Sequence, residues 1–328
     1  MISGQLFCLL YLFSIIQSVY LATYSCDPHA SCGCSQFPVN TNKNIRIVGG
    51  ENAGFNTLSW TVAIPQGVDL CGGVIIHEFF VLSAAHCFKS NLLLSNLTIY
   101  AGSLKYRDGI KKTVSRVYLH PNYTITGFVN DIALLELTTP LNLSDVNLAK
   151  ICLTNITSTV GEYPPAGTSL LAAGWGTLSS GGPFPNTLQQ VTIQAVGAQT
   201  SYYTKIDFTF PLTYLVSKTN FELIKSIADT CQGDSGGPLI MFNSNQQWEL
   251  VGVVSYGQGC ALPKLPGVYT RVSSYIKWIN TIIHKPNIID FIPTTTFKNC
   301  AYSFDTSFYF ALLIFISFLN NFFMSLSF

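Results

Sequence analysis

Between Ile47 and about Lys285, short runs of β-branched and aromatic residues alternate with clusters of Gly, Pro, Asn and Ser. This alternation is typical of an all-β sandwich or barrel, because short strands separated by turns produce it. The runs that predict strands are Trp60–Ile64, Gly73–Ala84, Leu97–Ala101, Thr113–His120, Ile132–Leu137, Leu170–Ala173, Gln189–Ala195, Leu239–Phe242, Trp248–Ser255 and Gly267–Val272.

The pattern changes at the end of this region, from Ser273 to Ile283. Apolar residues there recur at the spacing of one helical face: Tyr275, Ile276, Ile279, Ile282 and Ile283. We therefore expect one amphipathic helix after the last strand. No internal repeat and no low-complexity linker divides the region, so we expect a single domain or two packed lobes.

The chain opens with an apolar run from Leu6 to Leu21 that ends where a polar stretch begins at Thr23. This pattern is typical of a secretory signal peptide, with a signal anchor as the alternative. We assign residues 1–22 to the signal. Residues 23–46, rich in Asn and Cys with little apolar periodicity, are interpreted as an extended pro-segment.

At the other end, Phe308–Leu319 is apolar and is followed by a last apolar patch without Lys or Arg. A spanning helix needs about 20 apolar residues and usually a positive cluster beside it. The tail fits better the detachable signal of a glycolipid anchor, with Asn299–Ala301 as the attachment site. A single-pass helix and a merely hydrophobic tail remain alternatives. Residues 287–299 are then a stalk, and residues 300–328 the anchor or its signal.

Charge excludes one class of function. Seventeen Lys and Arg residues oppose sixteen Asp and Glu residues, and charged residues make up 10 % of the 328-residue chain. Because no basic excess exists, nucleic-acid binding by a basic face is not expected. Four Asn-x-Ser/Thr sequons predict surface glycans in a secreted protein, at Asn96, Asn122, Asn142 and Asn155.

Ten cysteines in an exported chain predict disulfide bonds. Without Cys8 of the signal and Cys300 of the tail, an even number remains. These are Cys26, Cys32, Cys34, Cys71, Cys87, Cys152, Cys231 and Cys260. A bond between Cys32 and Cys34 would be strained, so we expect Cys26 to pair with one of them and to leave the other free to pair elsewhere.

Three short strings carry candidate chemistry: Ala84-Ala85-His86-Cys87, Asp131-Ile132-Ala133-Leu134-Leu135 and Gly233-Asp234-Ser235-Gly236-Gly237-Pro238. Each alone is commonly a packed histidine, a turn cap or a tight turn. Together they supply the three groups that acyl transfer by serine requires: a hydroxyl, a base and an orienting carboxylate, as Ser235, His86 and Asp131. The backbone N–H groups of Gly233 and Ser235 are the expected donors to the oxyanion.

These strings resemble the trypsin-like members of the chymotrypsin family of serine proteases, with the same order of His, Asp and Ser. The resemblance implies two packed six-stranded antiparallel β-barrels and a C-terminal helix over residues 47–286. It also implies a serine endopeptidase without a cofactor. The rival order of the α/β-hydrolases would need Glu249 and His284 after the serine, and no supporting motif accompanies them.

The resemblance extends to activation. Arg46-Ile47-Val48-Gly49-Gly50 resembles the family's activation site, where a cut after a basic residue frees an amine. That amine is expected to fold inward and pair with Asp234, which implies a zymogen and an activating protease.

Substrate recognition is also implied by the resemblance. Asp229 matches an acid at the base of the primary specificity pocket, which favours Arg or Lys before the scissile bond through charge-assisted hydrogen bonds. Gly257 and Gly267 match the pocket walls, and Ser255–Gly257 matches the strand that pairs with the substrate backbone. The expected partners are protein or peptide substrates and protein inhibitors.

The cysteines sort by the same resemblance: Cys71 with Cys87, Cys231 with Cys260, and Cys152 with Cys32 or Cys34, which would tether the cut pro-segment. Two bridges common in relatives are absent. Leu170 and Met241 occupy one pair of matching positions, and residues 202–228 lack the other pair. The loop Lys105–Thr113 holds Asp108 without a pair of Glu ligands, so we predict no calcium site and no other metal.

Overall fold

The computed structural model describes residues 21–27, 30–42, 50–88, 94–154, 163–179, 181–196, 214–218, 230–257 and 267–285. The strands within these ranges are β1 (Leu21–Tyr24), β2 (Val39–Asn42), β3 (Glu51–Asn52), β4 (Thr61–Gln66), β5 (Asp69–His77), β6 (Phe80–Ser83), β7 (Thr98–Ala101), β8 (Ile110–Leu119), β9 (Ala133–Leu137), β10 (Cys152–Leu153), β11 (Ser169–Gly174), β12 (Gln189–Val196), β13 (Tyr214–Lys218), β14 (Pro238–Phe242), β15 (Trp248–Tyr256) and β16 (Val268–Arg271). One α-helix, α1 (Ile276–Ile283), follows a 3₁₀ turn at Val272–Tyr275.

Six strands of the first half close into a barrel in the order β4-β5-β6-β9-β8-β7. Every neighbouring pair is antiparallel. Its interior is filled by β-branched and leucine side chains with no exposed surface, among them Val62, Ile64, Ile75, Leu82 and Ile99. Burial of these side chains supplies the main stabilising free energy of this half.

A second barrel follows from the pairings of β11–β16. The antiparallel neighbours are β14–β15, β15–β16, β16–β13, β13–β12, β12–β11 and β11–β14, which returns to the start. Strand β3 adds to β12, and β10 adds in parallel to β15. The two six-stranded barrels and the closing helix confirm the expected fold class.

Two elements differ from the strand prediction. The run Gly73–Ala84 is not one strand, because it turns at Glu78–Phe79 into the antiparallel pair β5–β6. Both strands are buried, so their apolar sequences join without an alternation that would mark the turn. Strand β13 lies in a segment for which no strand is predicted, and it is stabilised by pairing with β12 and β16.

The segment before Gly50 is folded in its described part. Strands β1 and β2 form an antiparallel hairpin, and β1 begins at Leu21, within the stretch assigned to the signal peptide. Disulfide bonds join Cys26 to Cys34 and Cys32 to Cys152. The structure thus shows that Cys34 pairs with Cys26 and that Cys32 pairs with Cys152, a choice that the sequence left open.

Helix α1 packs its apolar face inward, with Ile276, Ile279 and Ile282 buried. The rings of Tyr275 and Trp278 each lie 5.2 Å from the ring of His120, at the end of β8. These contacts dock the end of the domain on the first barrel. In the part of the chain that the structure describes, no helix combines the length and apolar character needed to cross a membrane.

Candidate active site

His86 lies in a 3₁₀ turn, Ala85–Cys87, directly after β6. The turn is held on one side by the disulfide bond between Cys71 and Cys87. On the other side, the main-chain N–H of His86 donates to Asp131 Oδ1 at 2.9 Å. The imidazole is therefore positioned by its backbone as well as by its ring, and 18 % of its side chain is exposed.

Asp131 lies just before β9 and is completely buried. Its Oδ2 atom accepts two hydrogen bonds: from His86 Nδ1 at 2.7 Å and from the hydroxyl of Ser255 at 2.5 Å. A bond from Nδ1–H leaves His86 Nε2 as the nitrogen that can accept a proton. The structure therefore joins two of the three predicted catalytic residues in the required geometry.

Two further hydroxyls on the second barrel hold this acid, and sequence reasoning missed that role for both. Ser255 was assigned only to the substrate backbone, whereas its side chain donates to the carboxylate. Thr270 donates to the main-chain oxygen of Asp131 at 2.7 Å, and both hydroxyl residues are buried. No local signal marks either residue, because the contacts span more than 120 positions of the chain.

Ser235 lies in the turn before β14, against the segment that carries His86. The N–H of Gly72, in β5, donates to Ser235 O at 2.7 Å. Gly236 has a φ of +82°, and a Cβ there would overlap Ser83 Oγ and lie 3.1 Å from Ala84 N. Glycine at position 236 therefore allows the serine turn to pack on the end of β6, three residues before the histidine.

The main-chain donors of this turn fall into two groups. The N–H groups of Asp234 and Gly236 donate to Cys231 O and Val254 O. Within the described residues, the N–H groups of Gly233 and Ser235 have no acceptor. Two unpaired donors beside a serine hydroxyl are the arrangement that stabilises a tetrahedral oxyanion. In the described part of the chain, no hydrogen bond of 3.5 Å or less joins Ser235 Oγ to His86.

Two aromatic rings continue the site beyond His86. The ring of Phe128 lies 5.4 Å from the His86 ring in an edge contact and stacks on Tyr256 at 5.2 Å. Phe128 was not singled out from the sequence. The available signal is a large apolar residue in the polar loop between β8 and Asp131. Both rings are half-buried, so the site continues beyond the imidazole as packed aromatic side chains.

Tyr123 gives the site its clearest electrostatic effect. Its hydroxyl is buried without a hydrogen-bond partner in the described structure. Burial, and secondarily the negative charge of Asp131, raises the pKa of Tyr123 to about 12. The phenol therefore stays neutral over the physiological range and adds no second negative charge near the acid.

Asp234 points away from the serine, into a pocket beneath the turn. Its carboxylate accepts the N–H groups of Gly176 at 2.7 Å and Cys231 at 2.9 Å. Gly50, the first described residue after the predicted activation site, lines the same pocket. Gly50 and the acid that precedes the serine therefore lie on the wall of the same pocket.

Several predicted residues lie outside the described part of the chain: Arg46, Ile47, Asp229, Cys260 and Asn155. Cys231 is disulfide-bonded. Gly267 is buried directly before β16, whereas Gly257 is exposed directly after β15. Among the described residues, no group of three or more His, Cys, Asp and Glu side chains is arranged to bind a metal ion.

Comparison with known proteins decides the family. The family model described as Trypsin matches residues 47–279. The chain belongs to the trypsin family of serine proteases. Within this family, the chain is 34 % identical to mouse transmembrane protease serine 11C over 237 residues, which are 72 % of the chain and 53 % of that protein.

Two further relatives of this trypsin-family chain are similar at the same level. It is 34 % identical to rat transmembrane protease serine 9 over 244 residues, 73 % of the chain and 22 % of that protein. It is also 34 % identical to the Drosophila melanogaster serine protease filzig over 271 residues, 78 % of the chain and 15 % of that protein. The chain therefore spans about half or less of the length of these relatives.

Proposed function

We propose that this trypsin-family chain is a serine endopeptidase that cleaves peptide bonds after Arg or Lys. The observation that carries the proposal is the buried Asp131–His86 pair next to a serine turn with two unpaired N–H donors. These groups match, one for one, the requirements of acyl transfer. Membership of a serine protease family supports the same reaction.

The reaction starts at Ser235. Its hydroxyl attacks the carbonyl carbon of the scissile bond while His86 Nε2 takes the proton. Asp131 holds the ring through Nδ1–H and stabilises the imidazolium that forms. The N–H groups of Gly233 and Ser235 donate to the oxyanion, and loss of one such donor lowers turnover by roughly 10² to 10³. His86 then protonates the leaving amine, and water releases the acyl group by the same route.

Specificity rests on Asp229, with Gly257 and Gly267 as pocket walls and the backbone of Ser255–Gly257 pairing with substrate. A carboxylate at the pocket base selects Arg or Lys by charge-assisted hydrogen bonds. Support comes from the position of Gly267, which is buried directly before β16. The hydroxyl of Thr230, next to Asp229, lies 3.4 Å from the hydroxyl of Tyr269 in that strand.

Activation follows a cut between Arg46 and Ile47 by another protease. The new amine pairs with Asp234, and this buried pair orders the oxyanion donors. Support comes from the shared pocket of Gly50 and Asp234.

The location is the secretory pathway and the cell surface. Asn96, Asn122 and Asn142 are exposed, as glycan attachment requires, and the names of two relatives include "transmembrane". Residues 1–22 are the signal peptide, and residues 300–328 are replaced by a glycolipid or span the membrane. Phosphatidylinositol-specific phospholipase releases the activity from cells in the first case, and its retention would contradict the glycolipid anchor.

The catalytic proposal is tested by labelling the activated protein with a fluorescent organophosphonate. We expect Ser235 to be labelled, and Ser235→Ala to abolish labelling and peptide hydrolysis while the thermal unfolding midpoint stays unchanged. Ser244→Ala, at an exposed serine beyond the opposite end of β14, is the matched control. Absence of labelling in the wild type would identify the chain as an inactive binding module. A peptide-library cleavage profile without Arg or Lys enrichment before the cut would overturn the specificity.

A further inference from the structure

The segment that precedes the proposed activation cut is bound to the domain along most of its described length. Gly33 makes two main-chain hydrogen bonds to the domain: its N–H donates to Lys150 O at 2.8 Å, and its carbonyl accepts the N–H of Trp248, in β15, at 2.9 Å. A Cβ at Gly33 would overlap the main-chain oxygen of Trp248. This glycine between Cys32 and Cys34 therefore permits a close main-chain contact, beyond the disulfide bond beside it.

Side chains of the hairpin add a second set of contacts. The ring of Tyr24 lies 5.2 Å from Phe242 and 5.1 Å from Trp248, which lie 5.2 Å from each other. Val39 and Thr41, in β2, are 1 % and 3 % exposed. Three mutually contacting rings together with two buried strand residues form a packed interface.

A buried glutamine binds the main chain of β2. Gln190, in β12, is 2 % exposed, and its amide nitrogen donates to Asn40 O at 2.7 Å and to Glu51 Oε1 at 3.0 Å. Asn40 precedes the proposed cut and Glu51 follows it. The same side chain thus holds the domain and the segment together on both sides of the bond that is cleaved.

The hairpin formed by β1 and β2 lies beside Leu170 and Met241, the two positions that a disulfide bond joins in many relatives. Leu170 and Met241 would oppose each other directly, because the β11–β14 register pairs Leu171 with Ile240. Both line a pocket of about 220 Å³ whose wall includes Tyr24 and Thr41 of the hairpin. The strands that lack a disulfide bond are therefore covered by the segment before the cut.

We propose that residues 23–42 remain part of the mature enzyme through non-covalent packing as well as through the disulfide bond, and that they stabilise the second barrel where no disulfide bond joins Leu170 and Met241. This inference rests on the proposed cut after Arg46. In this proposal the disulfide bond between Cys32 and Cys152 adds to non-covalent contacts that are sufficient by themselves to keep the segment bound to the domain.

The test uses the full chain with Ser235→Ala, cleaved after Arg46 by an added Arg-specific protease, so that its outcome does not depend on catalysis by this chain. Cys32→Ser with Cys152→Ser removes the covalent tie. We expect the released segment to stay with the domain in gel filtration under native conditions. Adding Tyr24→Ala then releases it and lowers the thermal midpoint by roughly 3 to 8 °C.

The matched control is Phe37→Ala, at an exposed aromatic residue of the same segment, which leaves the segment bound. Leu170→Cys with Met241→Cys, added to Tyr24→Ala, restores the thermal midpoint because facing strand positions have disulfide geometry. If the variant with Cys32→Ser and Cys152→Ser does not fold, the disulfide bond is removed instead by mild reduction of the cleaved native protein. Loss of the segment on removal of the disulfide alone, with Tyr24 intact, overturns the proposal.

Discussion

Each oxygen atom of Asp131 accepts a hydrogen bond. Oδ1 accepts from the main chain of His86, and Oδ2 accepts from the His86 ring and from the Ser255 hydroxyl. The main-chain oxygen accepts from the Thr270 hydroxyl. A completely buried carboxylate is stable only when such donors replace water. The arrangement also fixes the plane of the carboxylate and, through Nδ1, the plane of the imidazole. We therefore expect the Ser255 hydroxyl to affect turnover by positioning Asp131 and His86.

Ser255→Ala should lower kcat between about 10- and 100-fold with little change in KM, because a hydrogen bond to a charged group is lost. The backbone of Ser255, which is proposed to pair with substrate, is unaffected by this change. Steady-state kinetics over a pH series provide the measurement. Thr270→Val is the control, since its hydroxyl donates to the main chain of Asp131. An equal loss of kcat in both variants would mean that the effect is structural.

At the scale of elements, the connection between β8 and β9 links the helix to the active site. It begins at His120, whose ring contacts Tyr275 and Trp278, and ends at Asp131. Burial lowers the pKa of His120 below its ordinary value. Its Nδ1 also accepts the N–H of Asn122 at 3.3 Å, a bond that protonation of this nitrogen removes. Helix docking is therefore sensitive to acid.

We expect His120→Gln to flatten the decline of stability below neutral pH. In the unfolded chain the imidazole takes up a proton near its ordinary pKa of about 6.5, whereas the folded state resists protonation. The stabilising contribution is therefore present above that pH and is lost as the pH falls toward the lowered pKa. Urea unfolding between pH 5 and 7 measures it. His284→Gln, at an exposed histidine, should keep the wild-type slope.

At the scale of the whole molecule, the site is assembled between two barrels. The first barrel and the loop before β9 supply His86 and Asp131, and the second barrel supplies Ser235 and Ser255. The main chains meet where Gly72 N–H donates to Ser235 O. The proposed catalysis therefore depends on how the two barrels are placed relative to each other. Asp234 holds the turn that carries Ser235, because its carboxylate accepts the N–H groups of Gly176 and Cys231.

Asp234→Asn should lower the activity of the cleaved protein at least about 100-fold, since breaking a buried charge pair costs roughly 3 to 5 kcal/mol. Peptide hydrolysis and circular dichroism before and after cleavage provide the readouts. The control is Asp108→Asn, an exposed acid paired with Lys105 at 3.7 Å. Full activity in Asp234→Asn would contradict the proposed pairing of the new amine with Asp234.

The sequence alone predicted an all-β sandwich or barrel with a closing helix and nominated His86, Asp131 and Ser235, because strand spacing, helical spacing and short strings are local patterns. The choice of two barrels came from the resemblance to the chymotrypsin family, and the structure confirmed it. It also limited the cysteine pairs. The tertiary structure decided that Cys32 bonds Cys152 and Cys26 bonds Cys34.

Only the folded chain showed the role of Ser255 toward Asp131, the rings beside His86, and the docked hairpin before the cut. Each of these depends on contacts between residues far apart in the sequence. Such contacts leave no periodicity or spacing in the chain, since their distances are set by the closure of two barrels and by how the barrels pack.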